Sequence, residues 1–134
     1  MSGPAEKRVF KITMRVKPVG KGRPRFSRAG GFVRTHTPEA TVGAEAEIRF
    51  LLSQAQAPKL EGPIYMVVKA VFAKPKSAKK RLHPVVKPDL SNVLKLIEDA
   101  ANGILFNDDS QICITSAVKA YGEHDFVELV VGEI

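Results

Sequence analysis

Between Val9 and Lys17, apolar Phe10, Ile12, Met14 and Val16 alternate with Lys11, Thr13 and Arg15. That is the period of a strand with one buried face. The pattern stops at Val19–Gly31, where Gly20, Gly22, Pro24, Gly30 and Gly31 predict a loop. Thr37-Pro38-Glu39 then supplies a cap, a first-turn proline and a dipole-matched acid, which predicts a helix over Pro38–Ala55 with Val42, Ala46, Phe50 and Leu51 on one side. Ile64–Ala73 alternates again through Met66, Val68, Ala70 and Phe72 and predicts a second strand. Lys74–Lys87 is broken by Pro75 and Pro84 and predicts another loop. Asp89–Asn102 gathers Leu90, Val93, Leu94, Leu96, Ile97, Ala100 and Ala101 on one helical face and is closed by Gly103. Gln111–Tyr121 and Asp125–Glu133 read as a final hairpin turned by Gly122-Glu123-His124, with Cys113 alternating into the sheet as a small apolar residue. This order predicts an α+β fold: a two-layer sandwich in which helices pack on one face of a mixed β-sheet, built as one domain over residues 1–134.

Charge is more informative than composition. The 134 residues are 44% apolar and 26% charged, which fits a globular domain and argues against wholesale disorder. The net charge of +7 is unevenly distributed. Residues 1–36 hold ten basic and one acidic side chain, and residues 69–87 hold seven basic and none acidic. Residues 88–134 reverse this with nine acidic and two basic. Two basic arms around an acidic segment suit a polyanion partner, with Lys21, Arg23, Arg25, Arg28, Lys79, Lys80, Arg81 and Lys87 as phosphate-contact candidates.

One cysteine excludes an internal disulfide framework, and one cysteine with three scattered histidines argues against a structural zinc site. No run of about 18 apolar residues is present, and Met1–Arg8 lacks the apolar run of a secretion signal. A cytoplasmic protein is expected, with no membrane partner and no small-molecule cofactor.

The sharpest chemistry lies in the acidic segment. Asp89 falls at the start of the predicted helix, while Asn92, Lys95 and Asp99 form a narrow polar stripe beside its apolar face. Asp108-Asp109 lies at the start of the following strand, where a fold-back would bring it to the same place. Carboxylates held together repel unless a cation lies between them. Mg²⁺ suits such a set because it takes a few carboxylate oxygens and keeps waters for chemistry on a phosphate. Lys95 would contact that phosphate or position the water. The same residues also have structural readings. Asp89 can be a helix cap, Asp108-Asp109-Ser110 a turn, Lys95 and Asp99 a surface ion pair, and Glu98 solvated surface.

At these positions the chain resembles the RusA family of Holliday junction resolvases. The resemblance is carried by Lys87-Pro88-Asp89-x-Ser91-Asn92-x-x-Lys95, Asp99-Ala100-x-Asn102-Gly103 and Asp108-Asp109-x-Gln111-Ile112. Lys21-Gly22-Arg23-Pro24-Arg25, Thr37-Pro38, Lys119 and Glu128 add to it. It implies a homodimeric endodeoxyribonuclease that depends on Mg²⁺, with Mn²⁺ as a substitute, and that resolves four-way or related branched DNA by paired symmetric nicks in recombination and repair. It makes Asp89, Lys95 and Asp109 catalytic. The metal would lie among Asp89, Asp109, Asp108 and Ser91, with Asn92 and Asp99 in support. One position departs from the pattern: Ser91 stands where the family commonly has a carboxylate, which removes one charge from the metal set. A second function class therefore stays open, a branched-DNA-binding protein that does not cut. An RNA-binding protein of the translation machinery is a third, less suited to the acidic segment.

Overall fold

The structure is a computed structural model describing residues 6–21, 25–29, 32–36, 39–78 and 80–134, with backbone alone for 25–29, 32–36 and 39–41. The elements run β1 (Val9–Met14), β2 (Arg25–Ala29), β3 (Phe32–His36), α1 (Glu39–Gln54), β4 (Ile64–Ala73), α2 (Leu90–Ala101), β5 (Ile112–Gly122) and β6 (Phe126–Glu133). Single turns of 3-10 helix lie at Lys76–Ala78 and Asp109–Gln111. The main sheet has the order β1-β6-β4-β5, antiparallel except for the parallel β4–β5 pair. The expected α+β architecture with a mixed sheet is what forms.

Alternation decides which face the helices cover. Met66, Val68 and Ala70 of β4 and Val127, Leu129 and Val131 of β6 are buried. They share one core with Ile48 and Leu52 of α1 and with Val93, Leu96, Ile97, Ala100 and Ala101 of α2. Val67, Ile114 and Val118 on the opposite face are exposed. The buried stripe of α1 differs from expectation, because Val42 and Phe50 face solvent while Ile48 and Leu52 turn inward. Arg49 ties the helices together by donating from Nη1 to Ala100 O at 3.0 Å and Asn102 O at 2.9 Å. A cation thus meets the exposed carbonyls at the end of α2. The chain then reverses at Gly103, whose φ of +83° a side chain would resist.

Three expectations need correction. The last two strands are not a hairpin, because β4 lies between them. The reason is burial: β4 alternates long apolar side chains and gains most as an inner strand. The 123–125 link need only step across one strand, about 10 Å, within reach of a few extended residues. Lys74 N donates to Gly122 O at 3.1 Å and Ala73 N to Asp125 Oδ1 at 2.8 Å, closing the end of β4 beneath that step. Next, part of the predicted Val19–Gly31 loop pairs as β2 with β3, an antiparallel ribbon in which Ala29 lies opposite Phe32. The two residues between them are both glycine, the short link that favours a hairpin. Finally, Cys113 is exposed. The register skips it between Ile64↔Ile112 and Tyr65↔Ile114, so it falls at an irregularity where alternation fails.

The ends of the sheet are fastened by Glu133. Its carboxylate accepts from Arg8 N at 2.9 Å, Arg8 Nη2 at 3.0 Å and Glu61 N at 2.9 Å. The Arg8 hydrogen bond, with the two backbone N–H groups, lowers its pKa from 4.5 to about 2. A lowered carboxyl contributes stability that is complete above its ordinary value and is lost as pH falls from 4.5 towards 2. Glu133→Gln should therefore melt lower at neutral pH and lose less melting temperature than the parent across that window. A parallel pair of acid-titration melting curves would refute the assignment.

Candidate active site

Three neighbours fix the start of α2. Lys21 N donates to Asn92 O at 2.8 Å, which lays the Lys17–Lys21 segment along the first turn. Gly20 permits that approach, since a Cβ there would meet Asn92 Cβ at 2.9 Å and Pro88 Cβ at 3.1 Å. From β5, Lys119 Nζ donates to Val86 O at 2.7 Å and Pro88 O at 2.9 Å, and lies 5.8 Å from the Phe72 ring centroid. Lys119 thus holds the backbone immediately before Asp89.

Asp89 occupies the N-cap position, and its carbonyl accepts from Asn92 N and Val93 N at 3.1 Å. Its carboxylate makes no cap hydrogen bond. It meets Lys87 Nζ at 2.9 Å, with 52% of the side chain exposed. The capping reading therefore fails for the one group that matters chemically. Ser91 is exposed in the first turn of α2, and Asn92 is half-buried beside Gly20 and Lys21.

Farther along α2 the polar stripe becomes a network. Lys95 Nζ lies 3.4 Å from Asp99 Oδ1 and 4.0 Å from Asp109 Oδ2. Asp99 Oδ2 also meets Lys21 Nζ at 3.0 Å, and Lys21 pairs with Glu45 of α1. The Glu45 hydrogen bond raises the Lys21 pKa against the effect of burial. Lys21, expected to meet phosphate, thus carries its charge into the acidic centre. Glu98 is half-buried rather than solvated. Burial pushes its carboxyl up, with Asp109 and Asp99 adding and Lys95 opposing.

The adjacent aspartates separate by role. Asp108 accepts a hydrogen bond from the Ser110 hydroxyl, which lowers its pKa. Gln111 Oε1 takes Asn107 N at 2.8 Å and Asp108 N at 3.1 Å, while its Nε2 reaches Gly62 O at 2.9 Å. Gln111 so anchors the turn to the start of β4. Asp108 serves the turn, and Asp109 faces Lys95.

Lys87 and Lys80 are exposed, and Arg81 is half-buried with Nη1 donating to Tyr121 Oη at 3.4 Å. Arg25 and Arg28 belong to β2, where the backbone alone is described. Arg23 and Lys79 lie outside the described residues.

Among the described residues no three His, Cys, Asp or Glu side chains gather as a metal cage. Mg²⁺ does not require one, because one or two carboxylates and water suffice. Asp89 and Asp109 are hard oxygen donors of that kind, both with their side chains open to solvent. The donor chemistry fits.

The family model described as Endodeoxyribonuclease RusA matches residues 15–131. The chain belongs to the RusA endodeoxyribonuclease family. A Bacillus subtilis (strain 168) protein, "Uncharacterized protein YqaN", is 32% identical over 137 residues, spanning 93% of this chain and 96% of its own length. Membership implies endodeoxyribonuclease activity, and the matched stretch holds all of Asp89, Lys95, Asp99 and Asp109. Among the described residues no helix is long and apolar enough to cross a membrane. Sequence reasoning missed Glu45 as the partner of Lys21 and Arg49 as the tie between the helices, and it read the half-buried Glu98 as solvated surface. Charged helix residues carry no mark of the helix they will face.

Proposed function

We propose that residues 1–134 form one RusA-like endonuclease domain that resolves Holliday junctions, or related branched DNA, by paired symmetric Mg²⁺-dependent nicks. The observation that carries the reading is Lys95 set between Asp99 and Asp109, on the same helix that Asp89 begins. Asp89 and Asp109 would hold the divalent cation, with Ser91 offering a hydroxyl. When bound, that cation supplies positive charge to a phosphate oxygen and a source of activated water. Lys95 takes a non-bridging phosphate oxygen and steadies the charge that builds as the P–O bond breaks. Asp99 orients Lys95 through their ion pair. Lys87 draws the phosphate towards Asp89, and the exposed cations of the 74–87 loop hold the flanking backbone.

A four-way junction has two-fold symmetry, and one chain carries one Asp89 cluster. A homodimer provides the second site on a matching axis. Exposed Val67, Ile114 and Val118 on the uncovered sheet face are the kind of surface a second copy would bury. A cytoplasmic location follows from the substrate. Ser91 supports a second reading, a junction-binding protein that does not cut, because the site has one carboxylate fewer than the family pattern.

End-labelled four-way junctions, with linear duplex and folded RNA as competitors, distinguish these readings. The endonuclease gives nicks at matching positions on opposing strands with Mg²⁺ and none with chelator. Binding indifferent to Mg²⁺, without nicks on any branched substrate, would establish the non-cutting alternative. Preference for the RNA would overturn both.

A further inference from the structure

Beyond the carboxyl ends of the parallel strands β4 and β5 lies a cavity of about 580 Å³ whose lining includes Lys17, Phe72, Arg81, Val86, Tyr121 and Asp125. Crevices at the carboxyl ends of parallel strands are frequent ligand sites. Asp125 is committed to the fold through Ala73 N at 2.8 Å. Arg81 Nη1 donates to Tyr121 Oη at 3.4 Å, so a guanidinium and an aromatic ring stand side by side. Lys74, outside the lining, lies 5.8 Å from the Tyr121 ring centroid. The site therefore combines an aromatic surface, an apolar wall and cations. That combination matches a nucleotide: a flat base to stack and a phosphate to neutralise.

Its position matters as much as its chemistry. Val86 lines the cavity, and the carbonyls of Val86 and Pro88 are held by Lys119, whose ammonium lies near the ring of Phe72 on the cavity wall. Asp89 follows directly. Cavity and Asp89 are thus joined by one short, pinned segment.

We infer that this cavity is a nucleobase subsite that takes one base unstacked from the bound strand at a branch point, against Tyr121, with its phosphates on Arg81 and Lys17. The inference rests on the branched-DNA reading above. It supplies a reason for structure selectivity, since bases beside a crossover leave the stack more cheaply than bases inside duplex.

The test is junction affinity in chelator, measured by fluorescence anisotropy with single abasic nucleotides placed in turn at each position flanking the crossover. Each is measured with the parent, Tyr121→Ala and Tyr121→Phe. At one position per symmetric strand, removing the base should cost at least about fivefold more in the parent than in Tyr121→Ala, the lower end of base-on-aromatic stacking. Tyr121→Phe should retain the parental cost. Should Tyr121→Ala fail to fold, Tyr121→Leu fills the volume without a π surface and is read in the same way. If the two losses multiply independently, or no position is sensitive while junctions still outcompete duplex, the subsite is overturned and the branched-DNA reading stands. If the parent does not prefer junctions to duplex, both fall.

Discussion

Asp89→Asn is expected to abolish nicking of a four-way junction, by on the order of a thousandfold or more, while the protein still folds and binds the junction. A thousandfold corresponds to about 4 kcal/mol of barrier. Asp89 sits at an N-cap position, where Asn serves as well as Asp, and its carboxylate makes no cap hydrogen bond to lose. Half its side chain is in solvent. Stability should therefore change by no more than about 0.5 kcal/mol. Binding should hold or tighten, because the substitution removes an anion facing DNA and frees Lys87 from its partner at 2.9 Å. Single-turnover nicking beside junction affinity and a melting curve gives the three readouts. Parental cutting by Asp89→Asn would remove Asp89 from the chemistry, and equal loss of cutting, binding and stability would make it structural.

The neighbouring aspartates provide the second large contrast. Asp109→Asn should reduce nicking on the scale of Asp89→Asn, because its carboxylate faces Lys95 and is the second donor proposed for the cation. Asp108→Asn should keep nicking within about tenfold of the parent, the lower range for a supporting group, and lower the melting temperature instead. Its carboxylate accepts from Ser110, and that hydrogen bond lowers its pKa. The same shift gives a sign with pH: the Asp108 contribution is present above its ordinary value of 3.8 and fades as pH falls below it. Rate constants and melting curves for the two variants decide the matter. The reverse pattern would exchange their roles.

Local pattern made much of the fold legible. The alternation of Ile64–Ala73 marks β4 to the residue, and the apolar face closed by Gly103 marks α2 within a residue of each end. Strand partners were not legible, because pairing is non-local. Nothing within Gln111–Glu133 says that a strand from fifty residues earlier will enter between its two halves. The β2–β3 ribbon did leave a signal in Gly30-Gly31, masked by the density of glycine, proline and arginine around it.

The site divides in the same way. Spacing along one helix placed Lys95 beside Asp99, and fold-back of the next segment brought Asp109 to Lys95. The roles of Lys21 and Glu45 depend on how α1 and the Lys17–Lys21 segment dock against α2, and a charged residue on an amphipathic helix looks the same whether it meets water or a partner. Asp108 and Asp109 are adjacent and chemically identical in sequence. The Ser110 hydrogen bond is what separates them.

The most direct measurement is the single-turnover rate of four-way junction nicking as a function of Mg²⁺ concentration, for the parent and for Ser91→Asp. The parent should show saturable Mg²⁺-dependent nicking on opposing strands, and Ser91→Asp, which returns a carboxylate to the first turn of α2, should reach half-saturation at lower Mg²⁺. Tight junction binding by the parent with no nicks at any Mg²⁺ or Mn²⁺ concentration would contradict the endonuclease reading.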